Sequence, residues 1–150
     1  MKIIHNIKIS VLFLNSEEEQ IENALLKLLP KQTKKDLENK KNEIIKENVS
    51  DESNLIMYKL KIVKNKQCNL FFENLINNLK DESIIEKIKK RIDEKCKLFI
   101  RLKKDELIKN NYKLTYCGDC FHIKMTIASY PKKQKIAEEL ITKKIKEIKN

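Results

Sequence analysis

Few side chains in this chain of 150 residues stand at spacings that could support chemistry. Cys117 and Cys120 form a C-x-x-C with Gly118-Asp119 between them. Such a pair can supply half of a zinc site or cycle through a disulfide. A structural zinc needs four ligands, and Cys68, Cys96, His5 and His122 are the remaining sulfur and imidazole donors, with no second close pair among them. A redox pair opens a helix, whose dipole lowers the thiol pKa, whereas this one straddles an expected turn. We therefore read two reduced thiols at a hairpin turn. Four cysteines in a chain this long are not the disulfide framework of a small secreted domain. His5 is expected on the inward side of a first strand and His122 on the outward side of a last one, so they do not meet. Glu17, Glu18 and Glu19 are accounted for by a helix start. No nucleophile has a base in a supporting pattern. The expectation is a protein without catalytic activity, metal or cofactor.

Composition narrows the classes further. A single glycine, Gly118, cannot write a dinucleotide fingerprint or a P-loop. No apolar run approaches a membrane span. The apolar amino end, residues 3–14, is interrupted by His5, Asn6 and Lys8 and is read as a strand rather than a signal peptide. A cytoplasmic location is the expectation. The net charge is +11, but with 22 Ile and 15 Asn beside it the lysine excess partly reflects an A/T-rich genome. Where the charges fall is therefore more informative than their number.

The elements that must position these residues follow from periodicity. Alternation marks strands at 3–14, 55–63 and 96–102, and a hairpin with arms 112–117 and 120–130 turning at Gly118-Asp119. Apolar residues at helical spacing mark helices after Ser16, over 67–80, over 82–95 and over 131–148, the last opened by Pro131. Ser16 and Glu19 form an expected capping box. Segment 31–54 is polar and lysine-dense; it reads as a loop or short helix, then a short strand near 43–49, with Leu37, Ile44, Ile45 and Val49 as its candidates for burial. The expected fold is α+β: one domain over 1–150, a two-layer sandwich of a largely antiparallel (mixed) sheet with helices on one face. The other face is left to water.

With the apolar side of each strand assigned to the helices, the opposite side carries Lys8, Lys59, Lys61, Lys97, Arg101, Lys113 and Lys124. Asn6, Ser10, Phe99, Thr115, His122 and Thr126 lie between them. No acid falls on that side of these five strands, although the chain has 22 Asp and Glu. Like charges at ~10 Å in water repel by only about 0.4 kcal/mol per pair. The fold tolerates the arrangement without requiring it, whereas a polyanion would use it, through release of its condensed counterions. Phe99 offers an unpaired base a stacking surface. Lys103 continues the strand, and Lys132 and Lys133 open the last helix, whose free N–H groups suit a phosphate. The competing reading is that lysine is the commonest polar residue here and discourages edge pairing.

His5-Asn6-Ile7-Lys8-Ile9-Ser10, the helix ending Leu28-Leu29-Pro30, the run Leu98 to Lys104 and the junction Ser129-Tyr130-Pro131-Lys132-Lys133 stand in a telling order. Together they resemble the small archaeal RNA-binding proteins labelled predicted exosome subunits, whose fold is similar to that of the ribosomal protein that binds 5S RNA. The resemblance covers residues 3–30 and 55–148 at the level of element order. It implies RNA binding, a link to RNA processing or degradation, and no catalytic residue. The family's G-x-x-G-N loop has no counterpart, because residues 33–54 contain no glycine. Any RNA contact made by that loop in relatives is missing here or replaced by lysines.

The expected partner is therefore RNA, bound through backbone charge and shape, with an exosome-like assembly as context. The alternative is a subunit or homodimer whose open sheet face is covered by an acidic protein or a second copy, without RNA.

Overall fold

The first strand alternates strictly over residues 7–14 and lies at the centre of the sheet. The computed structural model describes residues 2–50 and 52–150. β1 (Ile4–Leu14) runs through a short 3-10 turn into α1 (Glu18–Leu28) and α2 (Lys31–Glu38). β2 (Ile45–Ser50), β3 (Leu55–Ile62), α3 (Asn65–Asn78), α4 (Ile84–Lys89), β4 (Lys97–Lys103), α5 (Lys104–Ile108), β5 (Cys120–Ile127) and α6 (Gln134–Lys149) follow. The strands lie in the order β2-β3-β1-β5-β4, and every neighbouring pair is antiparallel. The α+β sandwich expected from the sequence is what forms, with a wholly antiparallel sheet.

The inward side of the sheet is apolar. Ile7, Ile9, Val11 and Phe13 of β1 sit beside Ile56, Leu60 and Ile62 of β3 and Phe121, Ile123 and Met125 of β5, all essentially buried. Phe71, Phe72, Leu75 and Ile76 of α3, Ile21 and Leu25 of α1, and Ala137, Ile141 and Ile145 of α6 close this core. Each helix presents one stripe, so all of them pack on the same face.

Several local expectations change. The β1–β5 register shifts between Ile4 and Asn6, which turns Ile4 inward and leaves His5 exposed rather than in the core. The cap at the end of β1 is two residues earlier than expected: Glu17, not Glu19, accepts a backbone N–H, that of Leu14 at 2.9 Å. Glu17 also meets Lys104 Nζ at 3.3 Å. The Leu14 N–H first, then Lys104, hold Glu17 below the usual carboxylate range against the opposing effect of burial.

The helix expected over 82–95 stops at Lys89. Asp93 Oδ1 accepts the backbone N–H groups of Lys95 and Lys97, both at 2.9 Å, and Cys96 takes a positive φ of 62°. This turn reverses the chain into β4. The last helix begins at Gln134, three residues after Pro131, which follows a cis peptide bond instead of opening the helix. In the helix over Asn65–Asn78, Leu70 is exposed while Phe71 and Leu75 are buried.

The expected hairpin does not form. Residues 112–116 lie along the outer edge of β4: Leu114 bridges Leu102, Lys103 N–H donates to Lys113 O, and Thr115 N–H donates to Arg101 O, the last two at 2.9 Å. Residues 117–119 then carry the chain across the end of β4, and β5 enters between β4 and β1. Gly118 makes this crossing with φ +86°.

Segment 31–50 is tied down by a buried carboxylate. Asp36 of α2 accepts from Lys64 Nζ at 2.8 Å, Gln67 Nε2 at 2.9 Å and Gln32 Nε2 at 3.1 Å. Thr33 donates to Gln67 Oε1 at 2.8 Å. These donors, Lys64 first, lower the Asp36 pKa to about 2. Asn42 Nδ2 then reaches Lys61 O at 2.9 Å and ties the following loop to β3. Thr33 and Asp36, rather than Ile45 and Val49, are the buried residues of this segment.

Candidate nucleic-acid interface

The face opposite the helices is built by register. Lys8 lies directly opposite Lys61 on one side and Lys124 on the other, and Lys124 is opposite Phe99. A transverse row Lys61–Lys8–Lys124–Phe99 thus crosses four strands, at about 5 Å per step. The next row is Lys59–Ser10–His122–Arg101, and on the other side Asn6, Thr126 and Lys97 form a third. Lys97 Nζ donates to Thr126 Oγ1 at 2.9 Å. Partial burial first, then Lys124, Lys132 and Lys8, lower its pKa. That shift places Lys132 in the field of the sheet lysines. Lys103 and Lys113 meet at the β4 edge. Lys133 caps α6 with extended backbone.

Two carboxylates border this surface, which the sequence reading missed. Glu47 of β2 lies on the same side and pairs with Lys59 at 3.3 Å. Asp93 lies below the β4 edge, where it partly offsets the shift at Lys97. Among the described residues, β1, β3, β4 and β5 put no acid on the open side between these two. Glu47 went unnoticed because β2 carries no clear alternation: nearly all its residues are exposed. Partial burial and then Arg101 lower the pKa of His122, which disfavours its charged form on this face.

Cys120 Sγ lies 3.4 Å from His122 Nε2, and Cys117 is exposed. All four thiols are free, and no cluster of three or more His, Cys, Asp or Glu suited to a metal is present among the described residues. Burial raises the pKa of Cys120. No described helix is long and apolar enough to cross a membrane.

A family model described as RNA binding matches residues 6–128, from within β1 to just beyond β5. The chain belongs to this RNA-binding family. The matched span contains every strand position of the basic face; Lys132 and Lys133 fall outside it. Among solved structures, the chain is similar to Mth689, a DUF54 protein from Methanothermobacter thermautotrophicus, with 23% identity, TM-score 0.74, and coverage of 95% of this chain and 98% of that one. It is also similar to AF2318 from Archaeglobus fulgidus, with 22% identity, TM-score 0.76, and coverage of 97% and 99%. A UPF0201 protein from Methanococcus jannaschii shares the fold more distantly, with 8% identity, TM-score 0.54, and coverage of 90% and 91%. These likenesses establish the fold. The search of curated proteins gave no match.

The basic face of this family member continues past β4 into a feature that periodicity did not show. The chain has only two arginines, Arg91 and Arg101, and both meet Tyr116. The Arg91 guanidinium lies 4.1 Å from the Tyr116 ring centroid and donates to its hydroxyl at 3.2 Å and to Lys87 O at 2.8 Å. Arg101 donates to Tyr116 O at 2.8 Å. With Phe99, Thr115 and Asp93 they line a cleft of about 280 Å³. The clue available in the sequence was scarcity: two arginines among 33 basic residues.

Proposed function

We propose that this protein binds RNA along the open face of its sheet, mainly through the sugar–phosphate backbone, as an accessory protein of RNA processing or degradation. The observation that carries the reading is the row Lys61–Lys8–Lys124, three cations on adjacent strands with carboxylates only at the borders of the face. Directly opposed like charges weaken a sheet. Lysines there gain a favourable role once phosphates lie across them, because each contact releases counterions. Membership of the RNA-binding family supports the same partner. The resemblance to predicted exosome subunits and to the 5S-binding ribosomal fold supplies the processing context. The proposal includes no catalytic step and a cytoplasmic site of action.

Charge reversal tests it. Lys59→Glu, Lys61→Glu and Arg101→Glu together should lower RNA affinity about a hundredfold or more. The circular dichroism spectrum should stay unchanged, since Lys59 and Lys61 are exposed and Arg101 is half-buried without an ion partner among the described residues. Unchanged affinity would refute the reading.

One observation favours a protein contact on part of the same face. At the Leu14 end, Leu12 and Leu14 of β1 lie opposite Met57 and Leu55 of β3, and the β1 pair is exposed. A second copy or another protein covering this end would leave the lysine rows free. A stable dimer in solution that lacks RNA affinity would favour assembly as the main role.

A further inference from the structure

The cleft outside β4 carries more specific information than the lysine rows. Arg91 is only 9% exposed, yet among the described residues no carboxylate lies within ion-pair distance of it. Its charge is met by the Lys87 carbonyl and by the ring and hydroxyl of Tyr116. A guanidinium held this way is costly unless the fold uses it. Here it fixes Tyr116, whose side chain nevertheless stays on the surface, 62% exposed. Phe99, 38% exposed, lines the same cleft and has Lys124 Nζ 5.8 Å from its ring centroid. Arg101 gives one nitrogen to the Tyr116 carbonyl. Its planar fork carries further donors suited to a phosphate. Two partly exposed aromatic rings, a guanidinium and a space of about 280 Å³ therefore meet where the lysine row Lys61–Lys8–Lys124 ends.

We propose that this cleft holds one unpaired nucleotide of the bound RNA, its base against Phe99 and Tyr116 and its phosphate on Arg101. The inference rests on the RNA-binding reading and sharpens it: the lysine rows follow the backbone, and the cleft selects RNA with an unstacked base. Arg91 is a positioning residue, acting through Tyr116. Base–aromatic stacking is tolerant of base identity, so the cleft distinguishes unpaired from paired residues rather than one base from another.

The test compares a blunt RNA duplex with the same duplex carrying one bulged 2-aminopurine, titrated at several salt concentrations. The unmodified protein should bind the bulged RNA about tenfold more tightly and change the 2-aminopurine emission. Tyr116→Ala and, separately, Phe99→Leu should abolish the preference and the emission change while keeping duplex affinity and its salt slope. Arg91→Lys should diminish the preference with the same slope, because the ammonium cannot both stack and bond as the guanidinium does. Equal binding of the two RNAs by the unmodified protein, or a preference that survives both aromatic substitutions, overturns the cleft proposal and leaves backbone binding standing. Absence of salt-dependent binding to either RNA overturns the functional reading, and the cleft proposal with it.

Discussion

At the residue scale, the charges of this protein divide into those the fold uses and those it leaves over. Asp36 belongs to the first group. Its folded pKa, about 2, lies below the ordinary aspartate value. Its contribution is therefore fully present above the unfolded value and is lost as pH falls from about 4 to about 2. Asp36→Asn should lower stability at neutral pH and flatten the acid limb of a stability-versus-pH curve measured by urea unfolding. Glu17 and Glu18, also held low by their partners, keep the remaining slope. The sheet lysines belong to the second group: Lys8, Lys61 and Lys124 appear in no ion pair among the described residues. Asp36 escaped the sequence reading because a single Asp in a lysine-dense stretch looks solvated; only the fold shows Lys64 and Gln67 converging on it.

At the element scale, period-two and helical patterning located β1, β3, β4, β5 and most buried stripes, because one face of each is buried and parity then decides every side chain. Apart from His5, which the register shift in β1 turns outward, the failures lie where parity carries no information. β2 is exposed on both faces, so the position of Glu47 was hidden. The segment 112–116 alternates like a hairpin arm, yet its partner is the far edge of β4, and alternation does not name a partner. The chain does bend at Gly118-Asp119, where the sequence placed a hairpin turn, but there it crosses a strand end instead of joining two neighbours. Gly118 has φ +86° with nothing within 4 Å of where a Cβ would stand. Gly118→Ala should therefore cost only the backbone strain, about 1–2 kcal/mol in chemical denaturation, with no steric addition. Since this crossing positions Tyr116 beside Arg91, the same substitution should also weaken the preference for bulged over blunt RNA.

At the scale of the whole molecule, the helices cover one side of the sheet and carry most of the acids, while the strands keep their uncovered side basic. Net charge alone did not establish this, since the composition inflates lysine throughout. The distribution does: the open side is basic from Lys61 to Arg101, with Glu47 at one border and Asp93 near the other. RNA binding by that surface depends on phosphate neutralisation, and counterion release makes it measurable. The decisive experiment is the affinity of the intact protein for a structured RNA as a function of salt concentration. A linear log–log plot with a slope of about −4 to −6, as expected when five to seven phosphates are neutralised, is the predicted result. A flat plot would contradict the account.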